Sequence, residues 1–452
     1  MMKTELQNNS VSGLKSIDSC QEILKQTLAL CLEHGATDAS VDFGQDIGFN
    51  VDVRLSEVES VSFHQNQSVS IEVFIGQRKG IASSSDLRLE SIQRAVKVAC
   101  DMAKVSAIDT CYGLENFKKS SNTQNLDLYH PADFHTEQAI TKAKELEALA
   151  RQQDKRIVNS EGASVSSYRI LSASMNTKGF EEVLYSTRHS MSCVLIAKQN
   201  DEMQRDYAFT TARAIEDLDS IQGLAQLTAS RVCSRLGAKP IPTQEVPVIF
   251  SQRISAGLMG ALISGISGAQ LYRKNSFLCD SLGKKILPDF VNIQEKPFIP
   301  RGLGSSHYDS DGVATRENIF VQNGVIAQYV LGVYSARRLG VQSSGNADGV
   351  HNLHVSANAL DLQELMQAVP KCFVVTELMG HGAQMLTGDF SQGASGFWVE
   401  NGQIQHAVEG VTIAGNLLDI YQDIIGIGAD VDHNRSTQCG SILIKKMMVA
   451  GR

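Results

Sequence analysis

Nine cysteines are scattered from Cys20 to Cys439, odd in number and never spaced as CxxC. Neither a disulfide framework nor a thiolate zinc site is expected from them, and reduced thiols in a cytoplasmic protein are the plain reading. Positive charge is also short: 41 Lys and Arg face 49 Asp and Glu, a net charge of −8. That balance argues against a nucleic-acid partner held through its phosphates. The opening MMKTELQNNSVSG has no apolar stretch, so no secretory signal is expected there. Long uncharged apolar runs are missing except for Ile254 to Tyr272, nineteen residues without a charge. Gly257, Gly260, Gly265 and Gly268, with Ser255, Ser264 and Ser267, keep its hydropathy modest. Small residues every three or four positions suit a helix lying close against a sheet, so a helix packed inside the fold is expected and not a membrane span.

What is present is an ordinary globular composition, 42% apolar and 20% charged. A length of 452 residues suits about two to four domains. Ile23, Leu24, Leu28 and Cys31 recur at helical spacing behind Asp18 or Ser19, and Gly35 stops that helix. Period-two alternation follows at Val51, Val53 and Leu55, then at Val69, Ile71, Val73 and Ile75, with turns at residues 65–67 and 76–80, which predicts an antiparallel meander. Asp86 caps a second amphipathic helix reaching Lys104, and polar residues 109–128 read as a surface connection. A helix over 136–153, strands at 156–160, 164–174, 181–197 and 203–212, and a helix over 219–236 repeat the order helix, strands, helix. Pro240 and Pro242 mark the start of a third unit, in which Asn323-Gly324 and Asn401-Gly402 head two hairpins. A strand at 373–376, a helix at 417–425 and a closing strand at 442–449 complete it. The expected fold class is α+β: two N-terminal α/β units with antiparallel meanders and helices, at residues 1–125 and 126–240, plus a large, mainly antiparallel β domain over 241–452.

Standard signatures of hydrolytic chemistry are absent. There is no HExxH, HExxxH or phosphate loop, and GxSxG occurs only as the broken GLGSS of Gly302–Ser306. A strand through HNLHVSA would send His351 and His354 to opposite faces, away from a shared metal. Asp309 and Asp311 lack the later ligands of a calcium loop and read as an acidic turn. Tyr272, Arg273 and Lys274 close the glycine-rich helix, where cations favour the C-terminal dipole. Glu377, His381 and Asp389 fall on loops following a strand, a common place for residues that line clefts. Tyr272, Arg273, Glu377, His381 and Asp389 are therefore the cleft-lining candidates. Cys439 has no identifiable histidine partner and is expected to be packed and inert.

Longer strings are more distinctive. VNSEGASVSS (158–167), YSTRHSMSC (185–193), RDYAFT (205–210), YRKNSFLCDSLGKKILPD (272–289), YSARRLG (334–340), VVTELMGHGAQMLTGDFSQGASGFWVENGQI (374–404) and TIAGNL (412–417) resemble the TldD/PmbA family, and within it the PmbA (TldE) branch. The likeness runs over nearly the whole chain. It implies a cytoplasmic, zinc-dependent proteolytic assembly in which TldD-like and TldE-like subunits pair and cut small, unfolded peptides and proteins, among them an antitoxin and a peptide-antibiotic leader.

In the TldD branch, HExxxH lies on the helix after the first strand of the third domain, with a further ligand cysteine near the C-terminus. The matching helix here reads GLMGALISGISG, which puts Gly260, Ala261 and Gly265 where His, Glu and His stand. None of these three binds zinc or acts as a base. Cys439 lies later than the family's ligand cysteine. The resemblance thus implies no catalytic residue and no metal ligand in this chain, zinc in a TldD-like partner and an unfolded peptide as substrate, and it leaves open a homodimer when the partner is absent. The alternative is a non-proteolytic, peptide-binding or regulatory protein of the gyrase-modulator type.

Overall fold

The computed structural model describes residues 13–380 and 382–451; the opening MMKTELQNNSVS, His381 and Arg452 lie outside the described residues. Ser16 opens helix α1 (Ile17–Glu33) by accepting the N–H of Ser19, and Cys20, Leu24, Leu28 and Cys31 form its buried stripe. Strands β1 (Asp38–Arg54), β2 (Glu57–Ile75) and β3 (Arg78–Ser84) follow, then helix α2 (Leu89–Val105). The same order recurs as α3 (Thr136–Gln152), β4 (Ile157–Asn176), β5 (Glu181–Gln199), β6 (Glu202–Ala212) and α4 (Ile221–Ser234). The two runs share one sheet. β1 pairs antiparallel with β4, from Ser40 opposite Asn176 to Val53 opposite Ala163, giving six strands in the order β3-β2-β1-β4-β5-β6.

Alternation along these strands separates the faces of the sheet. Val41, Phe43, Val69, Ile71 and Val73 pack with the apolar stripes of α1 and α2. Val51, Val53, Val165, Cys193 and Leu195 pack in a separate cluster with Leu146 of α3 and Leu224 and Val232 of α4. The intervening residues Ser166, Tyr168, Ile170, Arg188 and Ser190 line a shallow depression on the other face. Residues 107–135 hold no helix or strand, yet they do not run free over the surface. Phe117 meets Phe180 and Tyr308, and Arg337 donates to the carbonyls of Cys111, Gly113 and Leu114. The segment therefore straps the N-terminal sheet to the C-terminal domain.

In that domain β7 (Gln244–Phe250) leads into α5 (Gln252–Gly265) and α6 (Gly268–Tyr272). Next come β8 (Ile293–Glu295), β9 (Ile319–Gln322), β10 (Val325–Ile326), α7 (Val333–Leu339), β11 (Leu353–Val355) and α8 (Leu362–Gln367). The chain ends with β12 (Lys371–Met379), β13 (Asp389–Glu400), β14 (Gln403–Asn416), α9 (Leu417–Gln422), β15 (Ile424–Ile427), β16 (Thr437–Gln438) and β17 (Ile442–Ala450). β7 lies between β12, its parallel neighbour, and antiparallel β17. β14 returns to pair with β17, Thr412 opposite Ala450, so the sheet closes on itself around a core that includes Phe250, Phe373 and Tyr421. Both Asn-Gly pairs turn hairpins with positive φ at the two central residues, 50° and 75° at Asn323-Gly324 and 49° and 73° at Asn401-Gly402. Such turns match the strand twist.

Several boundaries differ from the sequence expectation: the strands expected at 156–160 and 164–174 are one strand, β4, β2 runs straight through the turn expected at 65–67, and the N-caps of α1 and α2 are Ser16 and Arg88, not Asp18 or Ser19 and Asp86. The glycine-rich run is not one helix: it stops at Gly265 and restarts at Gly268 because Val330 crosses it, donating to the Ile266 carbonyl and accepting from the Gly268 N–H. The strand expected at 373–376 continues to Met379, which places Glu377 in β12 and not on a loop. The helix expected to reach residue 425 ends at Gln422, and Ile424 starts β15. No helix among the described residues is long and apolar enough to cross a membrane.

Candidate functional site

Helix α5 has two unlike faces. Leu258, Met259, Leu262 and Ile263 enter the core, where the Tyr421 hydroxyl donates to the Leu258 carbonyl at 2.9 Å. Ser255 Oγ donates to the Cys439 carbonyl at 3.1 Å and fixes the helix to the C-terminal strand region. On the outer side Gly257 and Gly260 are exposed, and a β-carbon on either would meet nothing within 4 Å. Ala261 is half-buried against the core. A β-carbon on Gly265 would lie 2.9 Å from Leu278 Cδ1. The expectation of a packed glycine therefore applies to Gly265, whereas Gly260 opens outward.

None of these positions offers a metal donor. Cys439 is 1% exposed, and burial pushes its thiol up to about 12, which leaves it protonated. His351 is buried with Nδ1 at 3.1 Å from Glu295, while His354 sits in β11, so the two serve different surroundings. Asp309 accepts from the N–H groups of Asp311, Val313 and Ala347, as an acidic turn should. Among the described residues no three His, Cys, Asp or Glu side chains converge as a metal would require. The zinc that the resemblance implies does not fit the donors among the described residues.

The remaining candidates are placed apart. Tyr272 meets Tyr334 edge-on at 5.5 Å and lies under the guanidinia of Arg273 and Arg338. Tyr334 in turn donates to Asp109, so this group helps hold the strap. Glu377 pairs with Arg235 just beyond α4. Arg235 also approaches Asp206 of β6 at 3.7 Å, and Arg253 of α5 binds the same carboxylate at 2.7 Å. This network joins the N-terminal sheet to the C-terminal domain. Burial pushes the Asp206 carboxyl up, but Arg253, the Tyr207 N–H and Arg235 override it and hold it below the usual carboxylate range. Asp389 is exposed at the start of β13, accepting from the Thr387 hydroxyl. His381 lies outside the described residues.

A cleft of about 650 Å³ runs beside α5, between that helix and the N-terminal sheet. Ile170 of β4, Arg188 of β5, Phe209 of β6, Arg213, Ala256 of α5 and Arg435 line it. Gly260 lies one helical turn beyond Ala256 on the same side. Tyr272, Arg273, Glu377 and Asp389 do not line this cleft. Its arginines were not singled out by sequence, since they come from three separate segments and nothing in their neighbours marks them. Arg188 lies inside YSTRHSMSC, and that string is the only local pointer.

The chain matches the PmbA/TldA metallopeptidase domain 1 over residues 39–103, the central domain over 129–236 and the C-terminal domain over 243–451. It is 40% identical to the Metalloprotease PmbA of Escherichia coli O157:H7, over 97% of this chain and 98% of that one. Among solved structures, a putative modulator of DNA gyrase from Bacteroides thetaiotaomicron has a TM-score of 0.90 at 24% identity, covering 96% of this chain and 99% of that one. TldE from Thermococcus kodakarensis has a TM-score of 0.84 at 20% identity, covering 95% and 100%. Full-length identity at this level, three domain matches in register and a shared fold place the chain in the PmbA/TldD family of metallopeptidases.

Proposed function

We propose that this chain is the non-metal subunit of a TldD/TldE-type protease of the cytoplasm, paired with a TldD-like partner that carries the zinc. The observation that supports this most is the lack of metal donors on α5. Gly260, Ala261 and Gly265 occupy the positions where the resemblance expects His, Glu and His, and no cluster of donors among the described residues stands in for them. Hydrolysis then belongs to the partner. This subunit shapes the cavity, admits an extended, unfolded peptide by strand addition to a sheet edge, and holds the partner in place. Small unfolded proteins, an antitoxin or a peptide-antibiotic leader are the substrates that the resemblance suggests.

Purified chain, partner and the two mixed should be assayed on an unstructured peptide. Chelator-sensitive cleavage by the mixture and by neither component supports the reading. A non-proteolytic peptide binder of the gyrase-modulator type is the second reading, suggested by the name of the Bacteroides relative. Binding without any cleavage in the mixture selects it.

A further inference from the structure

We infer that the cleft beside α5 binds a carboxylate carried by a peptide, gripped by the guanidinia of Arg188 and Arg213. The word peptide rests on the protease reading above; the carboxylate rests on the site alone.

Arg213 is anchored by backbone and not by an acid: Nη1 donates to the Thr187 carbonyl at 3.1 Å and Nη2 to the Leu303 carbonyl at 2.8 Å. Its Nε is buried without a hydrogen-bond partner. Arg188 is exposed and donates only over 3.4 Å, to Thr211 Oγ1. Among the described residues no carboxylate lies within ion-pair reach of either. Burial pushes the Arg213 guanidinium down from its ordinary value, and the neighbouring charge of Arg188 adds to the effect. Two like charges are thus held together in a chain of net charge −8, at a cost to folding. Elsewhere in the fold Arg156, Arg235, Arg253, Arg301 and Arg337 have acidic partners, while Arg78, Arg231 and Arg316 donate to carbonyls as Arg213 does; Arg188 and Arg213 stand apart from these in sharing one cleft.

The rim is built as well. Arg435 is oriented by Asp432 at 2.9 Å and lies over the Phe209 ring at 5.7 Å. Asn434 accepts the Thr211 N–H at 2.8 Å, which fixes this loop against β6. Gly257 and Gly260 have no side chains to narrow the approach along α5. A planar guanidinium fork suits a carboxylate in a bidentate pair. The opening of about 650 Å³, with Phe209, Ile170 and Leu303 as apolar walls, suits a short stretch of peptide more than a nucleic-acid backbone.

The carboxylate has two sources, an Asp or Glu side chain or the peptide's own C-terminus, and the test separates them. Four dye-labelled forms of one unstructured peptide are titrated with the full chain at low salt by fluorescence anisotropy. They combine Asp-Glu or Asn-Gln in the middle with a free or amidated C-terminus. One carboxylate-bearing form should bind about tenfold tighter than the form with no carboxylate, and the form that does so names the source. Arg188→Gln should abolish most of that preference with an unfolding midpoint that does not fall, since its side chain is exposed and weakly bonded and its charge repels Arg213. Arg213→Gln should do the same; should it fail to fold, Arg188→Gln decides. Equal binding of all four forms, no binding of any, or a preference that survives Arg188→Gln overturns the site. So does tighter, Arg188-dependent binding of a single-stranded oligonucleotide. Partner-dependent cleavage without any acidic preference would remove this site and leave the protease reading standing, whereas carboxylate binding without cleavage would do the reverse.

Discussion

Replacing Asp206 with alanine removes the carboxylate that fastens the N-terminal sheet to α5. Its side chain is 3% exposed and binds Arg253 at 2.7 Å, with Arg235 at 3.7 Å. Breaking a buried pair by removing one partner costs about 3–5 kcal/mol, because the charge left behind is neither solvated nor paired. Arg235 keeps Glu377, so only Arg253 is stranded, and the lower end, about 3 kcal/mol, is expected. Urea unfolding of Asp206→Ala, Arg253→Ala and the double variant measures it. Arg253→Ala should cost far less in the Asp206→Ala background than in the parent, since the pair is already broken. The carboxyl is held below its ordinary 3.8, so its contribution is fully present above that value and is lost as pH falls through the lower, folded-state value. The penalty should accordingly be constant around neutral pH and shrink only in strong acid. A cost below about 1 kcal/mol at neutral pH, the range of an exposed pair, would refute the idea of a buried fastening.

Other perturbations give distinct readings. Gly260→Ala should stabilise the chain by about 0.5–1 kcal/mol, because α5 gains a better helix former in open space. Gly265→Leu should destabilise it by about 1–3 kcal/mol through overpacking against Leu278, and denaturant midpoints compare the two. Under native conditions a maleimide followed by peptide mapping should label the half-buried Cys111 and Cys279 well before Cys439, whose thiol is buried and protonated. Chain purified without a partner should hold far less than stoichiometric zinc by atomic emission after mild chelation, and tight stoichiometric zinc would return His351, His354, His381 or Cys439 to consideration as ligands.

Legibility in the sequence followed the range of the interactions. Helix α1, the alternation in the strands of the first sheet and both Asn-Gly turns depend on local spacing and backbone preference and were readable, but the full lengths of β2 and β4 were not, since each runs on through polar residues that read as a break. The break between α5 and α6 was not, because it is imposed by Val330, more than sixty residues away. Nor was the joining of the two N-terminal runs through β1 and β4, since alternation specifies which face is buried and not which strand is the neighbour. The strap at 107–135 looked like a surface connection because its anchors, Arg337 and Tyr308, are remote. At the site, the glycine positions on α5 were found through resemblance, and the glycines alone would have read as packing. Arg188 and Arg213 gave no signal, since an arginine becomes informative only when its missing acidic partner is seen, and Arg435, paired with Asp432, is marked only by its place on the rim of the cleft.

The division of labour with a zinc-bearing partner is the central claim, and a titration tests it most directly. A fixed amount of TldD-like partner is mixed with increasing amounts of this chain, and cleavage of an unstructured peptide is followed. Activity should be near zero without the chain, rise in proportion, saturate at equal amounts of the two, and vanish with chelator. Chelator-sensitive cleavage by this chain alone, co-eluting with it through two unrelated purification steps, would contradict the account.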